Sequence, residues 1–142
     1  MGVMTTNGLP VVSGTVDGTA LVSDTPISLW GGLNPETGEV IDRRHPLSGQ
    51  IVTGRVLVVP HGRGSCTASG VLLEAIRLGT APAAIVLAQT DPIIGLGAIL
   101  GEELYGMRMP LIVIDAAAHA RIPDGATVTI TEQGDVTVAT AP

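Results

Sequence analysis

The residues best suited to do chemistry lie between Pro60 and Gly79, PHGRGSCTASGVLLEAIRLG. Gly62-Arg63-Gly64-Ser65 places one hydroxyl and one guanidinium on a tight turn, with His61 before it and Cys66 after it. The apolar run Val56 to Val59 leads in, and a helix-patterned segment leads out. A strand that ends in a glycine turn and passes into a helix aims backbone N–H groups and the positive helix end at one spot. Anions are favoured there, and so is a serine alkoxide, which can take a proton from a carbon next to a carboxylate. Arg63 can hold that carboxylate, with Gly64, His61 and Cys66 as further substrate contacts. The other half of a dehydration is loss of a hydroxyl, which calls for a Lewis acid. This chain has no credible metal cage, so that half must come from another subunit. The plainer reading of Ser65 is a helix N-cap, a position serine favours. Thr67 or Ser69 can cap equally well, and Ala68 stands where a capping box would want Glu or Gln. Capping also leaves Arg63 unexplained.

Bulk composition narrows the classes. A chain of 142 residues, 45% hydrophobic, suits one domain with a packed core. Trp30 and Tyr105 are the only aromatics, so the core must be Val, Ile, Leu and Ala. The net charge is −6 and all seven basic residues are Arg, which argues against a nucleic-acid or anionic-membrane surface. Arg43, Arg44, His45, His61 and Arg63 nevertheless cluster in sequence, and a local positive pocket suits a small anionic substrate. The lone Cys66 excludes a disulfide within the chain and an all-protein iron–sulfur or zinc-thiolate site. The N-terminus lacks the pattern of a signal peptide, and its Met-Gly-x-x-x-Thr start fits the myristoylation pattern only loosely. No apolar run reaches the ~20 residues of a membrane helix, and a cytoplasmic protein is expected.

The elements that must position the turn follow from patterning. Residues 1 to 9 read as a loose tail of a single domain spanning 1–142. Val11 to Val22 reads as one bent strand or two short ones, with Gly14 and Gly18 at bends. Trp30-Gly31-Gly32 forms either a core cap with a turn or a loop whose bare backbone approaches a ligand or partner. Arg43-Arg44-His45 is either a solvated loop or an anion contact. Gly54 to Val59 reads as a strand buried on both faces, followed by a helix from about Cys66 to Leu78. That helix carries an apolar stripe of Val71, Leu72, Ala75, Ile76 and Leu78, an outward Glu74–Arg77 pair, and Gly79 as left-handed cap. Ala83 to Ala88 is a second buried strand. Asp91-Pro92 starts a second helix that runs to about Tyr105 and packs closely or frays at Gly95, Gly97 and Gly101. Leu111 to Ile114 is a third buried strand. This succession implies an α/β fold with a small parallel sheet. A hairpin, Ala126 to Ile130 with Val136 to Val138, joins the N-terminal strands in an antiparallel β layer.

The chain carries none of the common catalytic signatures. Gly95, Gly97 and Gly101 are one residue out of phase for the dinucleotide fingerprint, and Gly62-Arg63-Gly64 lacks its third glycine. There is no Walker lysine and no Gly-x-Ser-x-Gly elbow.

An ordered set of short motifs resembles the small, swivel-domain subunit of the aconitase X family over most of the chain. Its anchors are Gly14-x-x-x-Gly18-x-Ala20-Leu21-Val22, Pro26-Ile27-Ser28-Leu29-Trp30-Gly31-Gly32, Asn34-Pro35-x-Thr37-Gly38, His45-Pro46-Leu47-x-Gly49 and Gly62-Arg63-Gly64-Ser65. Glu74-Ala75, Gly79 and Ala81-Pro82 extend it. The resemblance implies a swivelling β/β/α fold that docks on a large subunit as a heterodimer, with an iron–sulfur cluster on that subunit and no cofactor or metal bound by this chain. It implies a hydro-lyase that dehydrates a small hydroxy acid, cis-3-hydroxy-L-proline in the first instance and mevalonate 5-phosphate as the alternative. By similarity to aconitases, the serine after the glycine turn is the base, which falls on Ser65, with Arg63 on the same turn binding substrate. Trp30, Gly31, Gly32 and His45 become candidate loop contacts. Two positions depart from the pattern: Cys66 stands where a second small hydroxyl residue is expected, and His61 where serine is expected. Either changes substrate choice or leaves the site oxidisable; the plainer readings are a small buried filler for Cys66 and a backbone-bonding turn residue for His61. Two other classes stay open: a phosphocarrier swivel domain using His61, and a non-catalytic module that keeps the fold.

Overall fold

The computed structural model describes residues 2–140. The parallel run predicted from the apolar segments is present as β6 (Val56–Val58), β7 (Ala84–Leu87) and β8 (Leu111–Val113). They are linked by α1 (Ala68–Leu78) and α2 (Pro92–Tyr105). Burial on both faces explains their unbroken apolar sequence. Leu57, Val59, Ile85, Leu87 and Leu111 share a core with the helices' Leu72, Ala75, Ile76, Ile94 and Ala98. Val56, Val58, Ala84, Val86 and Ile112 turn the other way, onto Val128, Ile130, Val136 and Val138 of an antiparallel layer. The order is therefore helices, parallel sheet, antiparallel sheet.

That second layer is built as expected, from the hairpin of β9 (Thr127–Ile130) and β10 (Asp135–Ala139) with N-terminal strands. The segment from Val11 to Val22 resolves into two strands with different neighbours. They are the end of β2 (Leu9–Val12), which pairs with β8, and β3 (Val16–Val22). β3 belongs to both layers. Its residues Val16 to Thr19 pair antiparallel with β9, and Ala20 to Val22 pair parallel with β6.

The expected loose tail is a correction. β1 (Val3–Asn7) runs antiparallel along β10, and β2 follows at once on the far edge of the parallel sheet. Gly8 makes the crossing between layers, where an added Cβ would overlap Ile112 and the carbonyl of Gly134. The first strand escaped notice because it lies on an edge, where half-polar residues suffice and burial writes no pattern.

Residues 23–54 form a long excursion on the helix side, with the small hairpin β4 (Leu33–Asn34) and β5 (Glu39–Val40) and buried Leu29, Leu33, Val40, Leu47 and Val52. The helix stripe needs one correction: Leu78 is exposed and Val71 only half-buried, while Ala68 and Ser69 are buried instead. Gly97 and Gly101 bring α1 and α2 into close contact, since an added Cβ would lie 2.9 Å from the Ser69 carbonyl and from Ile76 respectively. A short α3 (Ala116–His119) follows β8.

Candidate active site

In an open α/β sheet, ligands gather at the carboxyl ends of the parallel strands. The residues after β6 occupy that edge. The chain leaves β6 through Val59 and Pro60 and turns over His61 to Thr67 before α1 begins. Thr67 already has helical angles, and the Ser65 carbonyl accepts the Ala68 N–H at 3.0 Å. Ser65 thus stands just outside the helix, and its hydroxyl is exposed. Its Oγ accepts the Thr67 N–H at 3.1 Å and donates to Thr67 Oγ1 at 3.0 Å. The capping reading of Ser65 is a correction: Thr67 holds the N-cap position, without a side-chain cap bond, and the Ser65 hydroxyl closes a local turn two residues earlier while still facing outward.

The turn is held from two sides. On one, Gly62 forms a parallel bridge with Ile27: the Ile27 N–H reaches the His61 carbonyl at 3.3 Å, and the Arg63 N–H reaches the Ile27 carbonyl at 3.1 Å. Two distant motifs, Pro26 to Gly32 and Gly62 to Ser65, are thereby one structural unit. Gly64 has φ +97°, open to glycine, and an added Cβ would lie 2.8 Å from Ser28 Oγ. On the other side, the Gly62 N–H donates to Asp91 Oδ2 at 2.8 Å, at the start of α2.

The predicted residues separate into three groups. Arg63, Gly64, Ser65 and Cys66 are exposed together on the turn. Among the described residues no ion pair involves Arg63, so its guanidinium is uncommitted. Exposure of Cys66 corrects the buried-filler reading. His61 is half-buried, and its Nδ1 donates to the Gly62 carbonyl at 2.6 Å, the backbone-bonding turn role. Trp30 is 56% exposed at the tip of the bridged loop, its carbonyl held by Ser28 Oγ at 3.0 Å. Gly31 has φ +76°, and at Gly32 an added Cβ would overlap the Ser28 carbonyl, so the Gly-Gly pair is what the turn requires.

His45 is a correction. It is buried, its Nδ1 accepts the Leu47 N–H at 3.1 Å, and its Nε2 donates to the Thr25 carbonyl at 3.2 Å. With both nitrogens engaged, it fastens the 42–50 loop to the base of the Pro26 to Gly32 loop and offers no ring atom to a ligand. Arg43 and Arg44 are exposed beside it.

Three residues escaped the sequence reading. Thr67 was weighed only as a cap, yet its hydroxyl is the direct partner of Ser65; the Ser-x-Thr spacing was the available signal. Asp91 was read only as a helix cap. His119 carried no signal: it is buried on α3, and its Nε2 donates to the carbonyls of Val59 and Val86 at 2.9 and 3.2 Å, tying the ends of β6 and β7 beneath the turn.

A small cavity of about 90 Å³ lies behind the turn, lined by Gly62 to Gly64, Asp91, Ile93, Ile94 and Ala68. A larger groove of about 730 Å³ between Gly18 to Val22, Leu47 and Arg55 includes none of the turn residues. Among the described residues, no group of three His, Cys, Asp or Glu side chains could hold a metal, and one cysteine cannot ligate an iron–sulfur cluster. Nor is any helix long and apolar enough to cross a membrane.

These features have counterparts in known proteins. The family model for the aconitase X swivel domain matches residues 5–138. A cis-3-hydroxy-L-proline dehydratase from Pseudomonas aeruginosa is 49% identical over 122 residues, which is 81% of this chain and 21% of that protein. The chain thus spans about a fifth of that relative's length. A phosphomevalonate dehydratase small subunit from Methanosarcina acetivorans is 36% identical over 124 residues, 87% of this chain and 82% of that one. Among solved structures, the aconitase X holo-form of Thermococcus kodakaraensis superposes with a TM-score of 0.86 at 29% identity, covering 96% of this chain and 99% of that one. With the family model matched across residues 5–138 and the fold superposing over 96% of the chain, the protein belongs to the aconitase X swivel-domain family.

Proposed function

We propose that this chain is the swivel-domain part of a hydro-lyase, docking as a heterodimer on a large aconitase X subunit, with Ser65 as the base and Arg63 as the carboxylate anchor. One observation carries the reading: Ser65 Oγ is exposed just before α1, already holds an N–H donor, and shares its turn with Arg63, which makes no ion pair among the described residues. In the ground state the hydroxyl donates a hydrogen bond to Thr67 Oγ1. Once Ser65 is deprotonated, the Thr67 hydroxyl can rotate and donate back, so the alkoxide keeps two donors and the end of α1 behind it. The alkoxide takes the proton from the carbon next to the bound carboxylate. The C–H electron pair becomes the carbon–carbon double bond, and the C–O pair leaves on the departing hydroxide. The proton then passes from Ser65 to that hydroxide, so that water is released and the alkoxide restored. The described residues of this chain do not fit a metal cluster, so a Lewis acid for that departure would come from outside the chain; the resemblance assigns the iron–sulfur cluster to the large subunit.

An exposed serine in water is a weak base, because solvent screens the charges that favour its alkoxide. A large subunit covering the turn would exclude water and give those charges their strength. The substrate proposed is a small hydroxy acid, cis-3-hydroxy-L-proline, supported by the identity to the Pseudomonas aeruginosa dehydratase; mevalonate 5-phosphate is the alternative, supported by the archaeal small subunits. Co-expression with a cysteine-bearing large subunit, followed by assay on both acids, tests the proposal. A brown complex that dehydrates one of them is expected. A complex that turns over neither, or a Ser65→Ala complex with full turnover, removes it. Phosphate transfer to His61 from a phosphodonor would put the carrier reading in its place.

A further inference from the structure

We infer that Asp91 is a positioning residue for the turn that carries Ser65, a role separate from capping α2. The inference rests on the reading of Ser65 as the base. The two carboxylate oxygens of Asp91 point at different elements. Oδ1 accepts the N–H groups of Ile93 and Ile94 at 3.0 and 3.1 Å and caps α2. Oδ2 accepts the Gly62 N–H at 2.8 Å, three residues before Ser65. The first contact is local and any helix start could use it. The second reaches across 29 residues, from the crossover after β7 to the turn after β6.

Packing shows that the second contact is built in. An added Cβ at Gly62 would lie 2.9 Å from Ile94 Cδ1 and 3.0 Å from Asp91 Oδ2, so the first turn of α2 abuts the backbone of Gly62 directly. The Ile27 bridge holds the opposite side. Gly62 is therefore clamped between an irregular loop and the rigid start of a 14-residue helix. The loop side consists of the two backbone hydrogen bonds of an isolated bridge. Without the carboxylate, Gly62 would keep only the Ile27 bridge, while the chain before it stays tied at Pro60, whose carbonyl accepts the Ala88 N–H at 2.9 Å. Displacing a reacting group by about 1 Å costs on the order of 100-fold in rate.

The chemistry of the side chain makes the two jobs separable. Asparagine caps helices about as well as aspartate but has one acceptor oxygen, and its amide nitrogen can only donate. In Asp91→Asn either Gly62 or the helix end must lose its acceptor. Electrostatics alone would push the other way: removing a negative charge near the turn favours the Ser65 alkoxide. A fall in rate would therefore come from geometry.

The test uses Asp91→Asn, Asp91→Ser and Asp91→Ala in two measurements. Amide hydrogen exchange on the labelled chain reads Gly62 against Ile93 and Ile94. Turnover of cis-3-hydroxy-L-proline by each variant in complex with the large subunit reads the site. Variants that lose the Gly62 bond should exchange that amide about tenfold faster. Their kcat should fall about 10- to 100-fold and KM should rise, because Ser65 and Arg63 shift together. Partial unfolding would instead lower apparent kcat at unchanged KM. A variant that loses Gly62 protection with full turnover, or keeps it while turnover falls, overturns the inference, as does unchanged Gly62 exchange in all three. Should the wild-type complex dehydrate nothing, the functional proposal fails, and the exchange data still decide whether Asp91 holds the turn.

Discussion

Ser65 and Thr67 form the smallest unit of this protein that can be tested. Ser65→Ala removes the acceptor of the exposed Thr67 N–H, which water can largely replace, so thermal unfolding should show a cost of at most about 1 kcal/mol while kcat in the complex falls about 10²- to 10⁴-fold, the range for removing a general base. Thr67→Val keeps the backbone N–H that Ser65 accepts and deletes only the hydroxyl that receives its proton. A kcat loss of about tenfold with KM little changed is expected from steady-state kinetics. Equal activity of Thr67→Val and wild type would show that the hydroxyl pair plays no part in the proton transfer. The base candidate was legible before any coordinates, since a hydroxyl after a glycine turn at a strand–helix junction is a local pattern. Its hydroxyl partner was overlooked because capping preferences describe every Ser and Thr there equally well. His45 misled for a related reason: two neighbouring arginines suggested an anion site, but burial turned the ring inward to backbone groups.

At the scale of elements, the site depends on how closely α1 and α2 approach each other. Ser65 lies just before α1, and Asp91 at the start of α2 holds Gly62, so the spacing of the two helices bears on both ends of the turn. Gly97→Ala would bring a methyl group to 2.9 Å from the Ser69 carbonyl and 3.1 Å from Leu72 Cβ. Overpacking of this kind costs about 1–3 kcal/mol. Urea unfolding should show that loss, and turnover should fall as well, because the helices must part at their shared contact. The outward Glu74–Arg77 pair is a contrasting case. Its hydrogen bond to Arg77 lowers the Glu74 carboxyl from its ordinary value. A lowered carboxyl contributes above its unfolded pKa, and that contribution fades as pH falls through the folded pKa. Both side chains are solvent-exposed, so Glu74→Gln should leave the neutral-pH melting temperature within error of wild type.

For the whole molecule, the N-terminal strands matter more than their sequence suggests. β1 covers one edge of the antiparallel layer, β2 covers the far edge of the parallel sheet, and Gly8 joins them. Deleting residues 2–12 should expose β10 and β8 as open edges, with loss of a cooperative melting transition and aggregation visible by light scattering. A truncated chain that melts as one cooperative unit near the wild-type temperature would contradict this account. The same architecture explains why the candidate site is open. All three layers are consumed in burying one another, and the turn is left on an edge with no element of this chain above it, where the proposed large subunit would sit.

Local chemistry was enough to determine the parallel strands, the two long helices with the Asp91 and Gly79 caps, the C-terminal hairpin and the Gly62 to Ser65 turn. Each is written in neighbouring residues, through apolar runs, glycines and side-chain oxygens that act within a few positions. Tertiary structure alone decided the rest: that β3 serves both layers, that the first strands close the sheet, and that Ile27 and Asp91 grip Gly62 from opposite sides. Those contacts join residues dozens of positions apart, and each has a backbone group on at least one side, so nothing in the sequence marks which residues will meet.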